Sequence, residues 1–119
     1  MKNSGLIKQF IAATAIPKNR VVKLAAGDNE VALATDVADP LIGVSEEPQN
    51  IAVGQRIDVT FSGIVEVEAG AALAKNAAVT VDAQGRAVAS AAGTDSTIGR
   101  ALTAANAAGD IISIEIQKG

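Results

Sequence analysis

From Ile57 to Glu68 the chain alternates its side chains with a period of two. Ile57, Val59, Phe61, Gly63, Val65 and Val67 are apolar or small, Asp58, Thr60, Ser62, Glu66 and Glu68 are polar, and Ile64 alone breaks the order. Such alternation marks an antiparallel strand with one face buried and the other wet. A single straight strand of that length would run roughly 35–40 Å at about 3.4 Å per residue, so a bend or bulge is expected at Gly63. Ile112, Ile114 and Ile116, set against Ser113, Glu115 and Gln117, close the chain with the same pattern. Elsewhere the apolar runs are short and bounded by turn residues. Arg20–Leu24 and residues 30–34 read as a hairpin around Gly27-Asp28-Asn29, Leu41–Ser45 as a short strand, and Val79-Thr80-Val81 with Arg86-Ala87-Val88 as a second hairpin around Ala83-Gln84-Gly85. Pro17 lacks the ladder donor a central strand needs there. The Ala-rich residues 100–108 are compatible with at most one short helical turn, cut off by Gly109-Asp110. Turn signals at intervals of about 8–12 residues predict an all-β fold, a small antiparallel barrel or sandwich.

The chain also repeats itself. Ile16-Pro17-Lys18-Asn19, Val22-Lys23-Leu24, Gly27-Asp28-Asn29, Val31-Ala32, Ile42-Gly43-Val44 and Gly54 to Val59 recur in order as Leu73-Ala74-Lys75-Asn76, Val79-Thr80-Val81, Asp82 to Gly85, Ala87-Val88, Ile98-Gly99-Arg100 and Gly109 to Ile114. The offset drifts only from 57 (Asn19 to Asn76) through 56 (Gly43 to Gly99) to 55 (Gly54 to Gly109), as adjustments of loop length would produce. Two similar β units are therefore expected, over residues 16–67 and 73–116, within one domain spanning 15–119. Residues 1–14 find no counterpart in this alignment and read as a flexible N-terminal arm running into a short edge strand. The Lys-Asn pairs recur where a strand begins, which favours a turn with Asn in the left-handed conformation.

Composition sharpens the picture of the core. Phe10 and Phe61 are the only aromatic residues among 119, so the interior is built from Val, Ile, Leu and Ala. Small side chains bury little apolar area each, at about 25 cal/mol per Å², and a domain of this kind gains from an oligomeric or docked state. The net charge of -3 and scattered Lys and Arg offer no footprint for nucleic acid. No apolar run approaches the roughly 20 residues that cross a bilayer, and charges at Lys2 and Lys8 interrupt any signal-peptide core. Synthesis and residence in a cytoplasm, with no membrane partner, are expected.

Chemistry is excluded by residue type. The chain has no His and no Cys, which removes the commonest general base, the thiolate nucleophile and the common zinc ligands. Asp36, Asp39, Glu46 and Glu47 surround Pro40 without the spacing of a calcium loop, and read as a solvated loop. Glu66 and Glu68 stand about 7 Å apart along one strand, close enough for paired carboxylates in sugar hydrolysis. The absence of Trp and Tyr platforms favours a solubilising role for them instead. The glycines form no phosphate cradle. No catalytic, cofactor-binding or metal-binding residue is expected, no cofactor, and no enzymatic activity.

Three stretches in the second half carry a resemblance: Val65-Glu66-Val67-Glu68-Ala69-Gly70-Ala71-Ala72-Leu73, Val79 through Val88, and Ile98-Gly99-Arg100-Ala101-Leu102 followed by Ala108 through Ile114. In that order they resemble the bacteriophage capsid decoration proteins, a small all-β cement family found beside major capsid genes in tailed phages. The resemblance implies a structural protein made in the host bacterial cytoplasm and located on the outer capsid surface of the virion. It would bind the outside of the expanded head, commonly as a homotrimer, and stabilise contacts between major capsid subunits. The partners so implied are the major capsid protein and further copies of the chain. Binding is expected in the unmatched arm and the loops between strands, with Leu6, Ile7, Lys8, Phe10 and Ile11 of the arm as the capsid-binding candidates, and removal of residues 1–14 should weaken attachment while leaving the barrel folded. The competing reading is a free-standing binding module such as a fibre or adhesin domain, against which the missing Trp and Tyr speak.

Overall fold

A computed structural model describes residues 7–36, 41–45, 47, 49–90 and 97–116. Ten strands make two sheets. The first unit contains β1 (Ile7–Ala12), β2 (Arg20–Leu24), β3 (Glu30–Leu33), β4 (Leu41–Ser45) and β5 (Arg56–Thr60), closed into a barrel in the order β1-β3-β2-β4-β5. The second contains β6 (Ile64–Glu68), β7 (Ala78–Val81), β8 (Ala87–Ala89), β9 (Gly99–Ala101) and β10 (Ile111–Ile116), in the order β6-β10-β9-β7-β8. The all-β expectation holds, and so do the two similar units.

β1 closes the first barrel. It runs antiparallel to β5 over five residue pairs, from Ile7 opposite Thr60 to Ile11 opposite Arg56, and parallel to β3 at Ile11–Glu30 and Ala12–Val31. The interior is small enough for side chains to fill it. Phe10, Ala12, Ile16, Val22, Val31, Ile51, Ile57 and Val59 form that core, with Phe61 packed edge-on against Phe10 at 5.7 Å between ring centroids.

The second unit repeats the first in register as well as in order. Ile7–Thr60 and Ile11–Arg56 in the β1–β5 ladder correspond to Ile64–Glu115 and Glu68–Ile111 in the β6–β10 ladder. Val22–Gly43 corresponds to Val79–Gly99, and Leu24–Val31 to Val81–Ala87. Even the isolated bridge Ile16–Ile51 has its counterpart in Leu73–Ala105. Asn19 and Asn76 both take a left-handed backbone, with φ of 58° and 75°, as the recurrence of the Lys-Asn pairs predicts. Closure differs in degree: a single parallel bridge, Ala69–Ala87, joins β6 to β8.

Three expectations change. The strand that matches β6 is β1, so the unit boundary falls at Gly63, where φ is 91°, and not after residue 67. The alternation of residues 57–68 is one pattern crossing two strands, β5 in one sheet and β6 in the other. Consequently the short strand into which the arm is expected to run forms at residues 7–12, but it is paired on both sides instead of lying at an edge, and it has a counterpart in β6; residues 1–6 lie outside the described residues. The helical turn allowed over 100–108 does not form. Arg100 and Ala101 pair with Glu115 and Ile114 in β9, and Ala105 bridges Leu73. Ladder bonds to distant strands outweigh the helix propensity of alanine there.

One of the two cores is shared between the units. Val21 and Val44 point outward from the first barrel and, with Ala34 and Leu41, join Val65, Val67, Val79, Val81, Ile98, Ile112 and Ile114 in a single cluster. Period-two alternation along β2 thus serves two cores, with Val22 facing one and Val21 the other.

Candidate functional site

β1 places three of the capsid-binding candidates, Lys8, Phe10 and Ile11, in the lining of a groove. Its burial runs from exposed at Ile7, Lys8 and Gln9 to buried at Phe10 and Ala12. Ile7 is 52% exposed, whereas Phe10, at 5%, is buried in the barrel core. Lys8 Nζ lies 5.0 Å from the Phe10 ring centroid and donates a 3.1 Å hydrogen bond to Asn29 Oδ1. The antiparallel register sets Arg56 beside Ile11, from where Arg56 Nη1 donates to Gln9 Oε1 at 3.5 Å. Lys8, Gln9, Phe10, Ile11, Asn29 and Arg56 line an open groove of about 300 Å³. Lys8, Phe10 and Ile11 are thereby brought together, Ile7 stands exposed at the start of the strand, and Leu6 lies outside the described residues.

Gln9, Asn29 and Arg56 were not among the candidates. Asn29 and Arg56 come from elements 18 and 45 residues beyond Ile11 (29 − 11 and 56 − 11), joined to it only by the parallel β1–β3 and antiparallel β1–β5 ladders. No local pattern in the chain carries that information.

The matching surface of the second unit is occupied by the first unit. Asn19, Arg20 and Val21, at the start of β2, lie across the end of β6 and the β7–β8 turn. Glu68 N donates to Asn19 O at 2.9 Å, Val21 N to Gly85 O at 2.9 Å, and Asn19 Nδ2 to Glu66 O at 3.3 Å. Arg20 donates through Nη1 to Gln84 O at 2.8 Å and through Nη2 to Glu68 Oε1 at 3.2 Å. Arg86 Nε pairs with Asp82 Oδ2 at 2.9 Å, and its Nη1 stands 4.0 Å from Glu68 Oε2. Glu68, considered above for sugar chemistry, is therefore committed to an ion-pair network at the joint. Its side chain is 19% exposed, and that of Arg20 14%.

Nothing in the described residues assembles a reactive centre. No group of three or more His, Cys, Asp or Glu side chains gathers there; Asp39 and Glu46, two of the four loop acids, lie outside the described residues. No helix among them is long and apolar enough to cross a membrane.

A family model described as phage cement protein matches residues 2–116. The chain belongs to that family. As a member of the cement family it is a structural protein associated with the phage head. No curated protein matches the sequence. Among solved structures, the fold is similar to the crystal structure of head fiber gp8.5 N base in bacteriophage phi29, with a TM-score of 0.71 at 18% identity over 94% of this chain and 93% of that one. At that identity the likeness establishes the fold.

Proposed function

We propose that this cement-family protein binds the outside of the expanded phage head and stabilises contacts between neighbouring major capsid subunits. The observation that carries the reading is the family match over residues 2–116. The molecule supports it in two ways: the Arg20–Glu68 pair is spent on holding the two units together, and the first barrel keeps an open groove along β1. The capsid-binding candidates Ile7, Lys8, Phe10 and Ile11 belong to that strand. Self-association as a homotrimer fits the same role, since cyclic symmetry multiplies a modest contact by three.

Purified protein added to expanded heads lacking it should co-sediment with them and raise the temperature at which they rupture. Heads that pellet without it would sink the reading. Light scattering is expected to give a trimer in solution or a monomer that trimerises on the head, and a stable dimer would contradict that arrangement. A second reading, in which the chain is a module of a head fibre, draws on the likeness to the phi29 head fiber base. It predicts attachment to heads without any gain in their rupture temperature.

A further inference from the structure

The duplication supplies a comparison within one molecule. By register, Gln9 and Ile11 of β1 correspond to Glu66 and Glu68 of β6, and Arg56 of β5 to Ile111 of β10; by the β2–β3 and β7–β8 ladders, Asn29 corresponds to Gly85. The groove on the first unit is thus the counterpart of the surface on the second unit that holds Asn19–Arg20–Val21. On the second unit the occupant is visible: an extended segment held by backbone bonds, with one basic side chain meeting an acidic surface at Glu68.

The charge is inverted on the first unit. Glu66 and Glu68 are replaced by the neutral Gln9 and Ile11, and two cations, Lys8 and Arg56, stand where the second unit has Val65 and Ile111. Among the described residues that line the groove, Lys8 and Arg56 are the ionisable ones, and they donate hydrogen bonds to amide oxygens, of Asn29 and Gln9. Amide oxygens compete poorly with a carboxylate for a cation, because charge-assisted bonds are about twice as strong as neutral ones. One further difference bears on geometry. Ile11 N donates to Asn29 O at 2.8 Å, closing the seam that stays open between Glu68 and Gly85. Recognition on the first unit therefore rests on side chains more than on backbone pairing.

We infer that this groove docks an extended, acidic segment of the major capsid protein, with a carboxylate seated between Lys8 and Arg56 and an apolar neighbour against Ile11. The inference rests on the cement reading above and adds to it the chemistry of the contact. Charge complementarity and the docked basic segment on the second unit carry it. Electrostatic contacts of this kind are set by the sign of the groove and weaken with salt.

The test is co-sedimentation with expanded heads at several salt concentrations, using full-length wild type, the charge-reversed double variant Lys8→Glu/Arg56→Glu, the neutral Lys8→Gln/Arg56→Gln and the conservative Lys8→Arg/Arg56→Lys. Thermal melts and light scattering on each report folding and self-association. The expected result is affinity at least about tenfold weaker for charge reversal, an intermediate loss with a flatter salt dependence for the neutral pair, and near wild-type binding for the conservative pair. Should charge reversal impair folding, the neutral pair decides alone. Binding of the neutral and charge-reversed chains within twofold of wild type overturns the groove assignment and leaves the cement reading standing. A change in oligomer mass with head binding unaltered also overturns it, by naming a second copy as the occupant. Failure of wild type itself to bind heads overturns both.

Discussion

Gly43 and Gly99 occupy the same place in the two units, and both are there because backbone crosses at close range. A Cβ on Gly43 would collide with the carbonyl oxygen of Thr60, and one on Gly99 with that of Glu115. Neither carbonyl can yield without breaking a ladder, so Gly43→Ala or Gly99→Ala should each cost about 1–3 kcal/mol, read as a lower urea midpoint at unchanged slope. Arg20 acts at the same scale. Truncating it to Ala strips Glu68 of its 3.2 Å partner and Gln84 O of its donor, and about 2 kcal/mol should be lost because a half-buried carboxylate keeps only the 4.0 Å contact with Arg86. If Arg20→Ala unfolds at the wild-type urea concentration, the joint does not depend on this pair. Some of these residues were legible in advance: the left-handed Asn19 and Asn76 follow from the recurrence of Lys-Asn before a strand. Arg20 was not, since its partners lie 48 and 64 residues away.

Elements were legible where period two is clean and local, as in β10, the two hairpins and β4. They were misassigned where the pattern misleads. The alternation runs in phase through Gly63, so one long strand is the natural reading, although the chain changes sheet there. In β1 the apolar residues fall at Ile7, Phe10, Ile11 and Ala12, which is not period two; the first three stand at the i, i+3, i+4 spacing of a helix face. Its identity is fixed by ladders to β5 and β3 that no local signal reveals. The consequence for truncation is direct. Removing residues 1–14 takes away the strand that closes the first barrel together with Phe10 and Ala12 from its core, and cooperative unfolding should be lost. Removing residues 1–6 leaves every β1 ladder in place and should leave the melting temperature within a few degrees of wild type. Circular dichroism melts on the two truncations check this, and a folded 15–119 fragment would refute it.

At the scale of the whole molecule, the shared cluster should make the two units one thermodynamic unit. Val21, Ala34, Leu41 and Val44 cover the core of the second unit, so that unit expressed alone would expose an apolar face. A fragment covering residues 63–119 should be insoluble or molten, and full-length protein should unfold in a single transition with equal calorimetric and van't Hoff enthalpies. Val44→Asp, which sets a carboxylate in a fully buried site, should cost at least about 3 kcal/mol. Two separate transitions in the wild-type calorimetric trace would show instead that the units fold independently. The groove belongs to this scale too. Its six residues come from β1, the β2–β3 turn and β5, and only the closed barrel assembles them.

Closure by the first strand also sets the timing of folding. Ile7 pairs with Thr60, so β1 leaves the ribosome long before its β5 partner exists and must wait, with Phe10 unburied, until about half the chain is made. Pairings so distant in sequence delay the rate-limiting step, and refolding in milliseconds to seconds, rather than microseconds, should be seen by stopped flow. During that wait β1 is an unpaired apolar edge, the kind of surface that seeds misassembly between nascent chains.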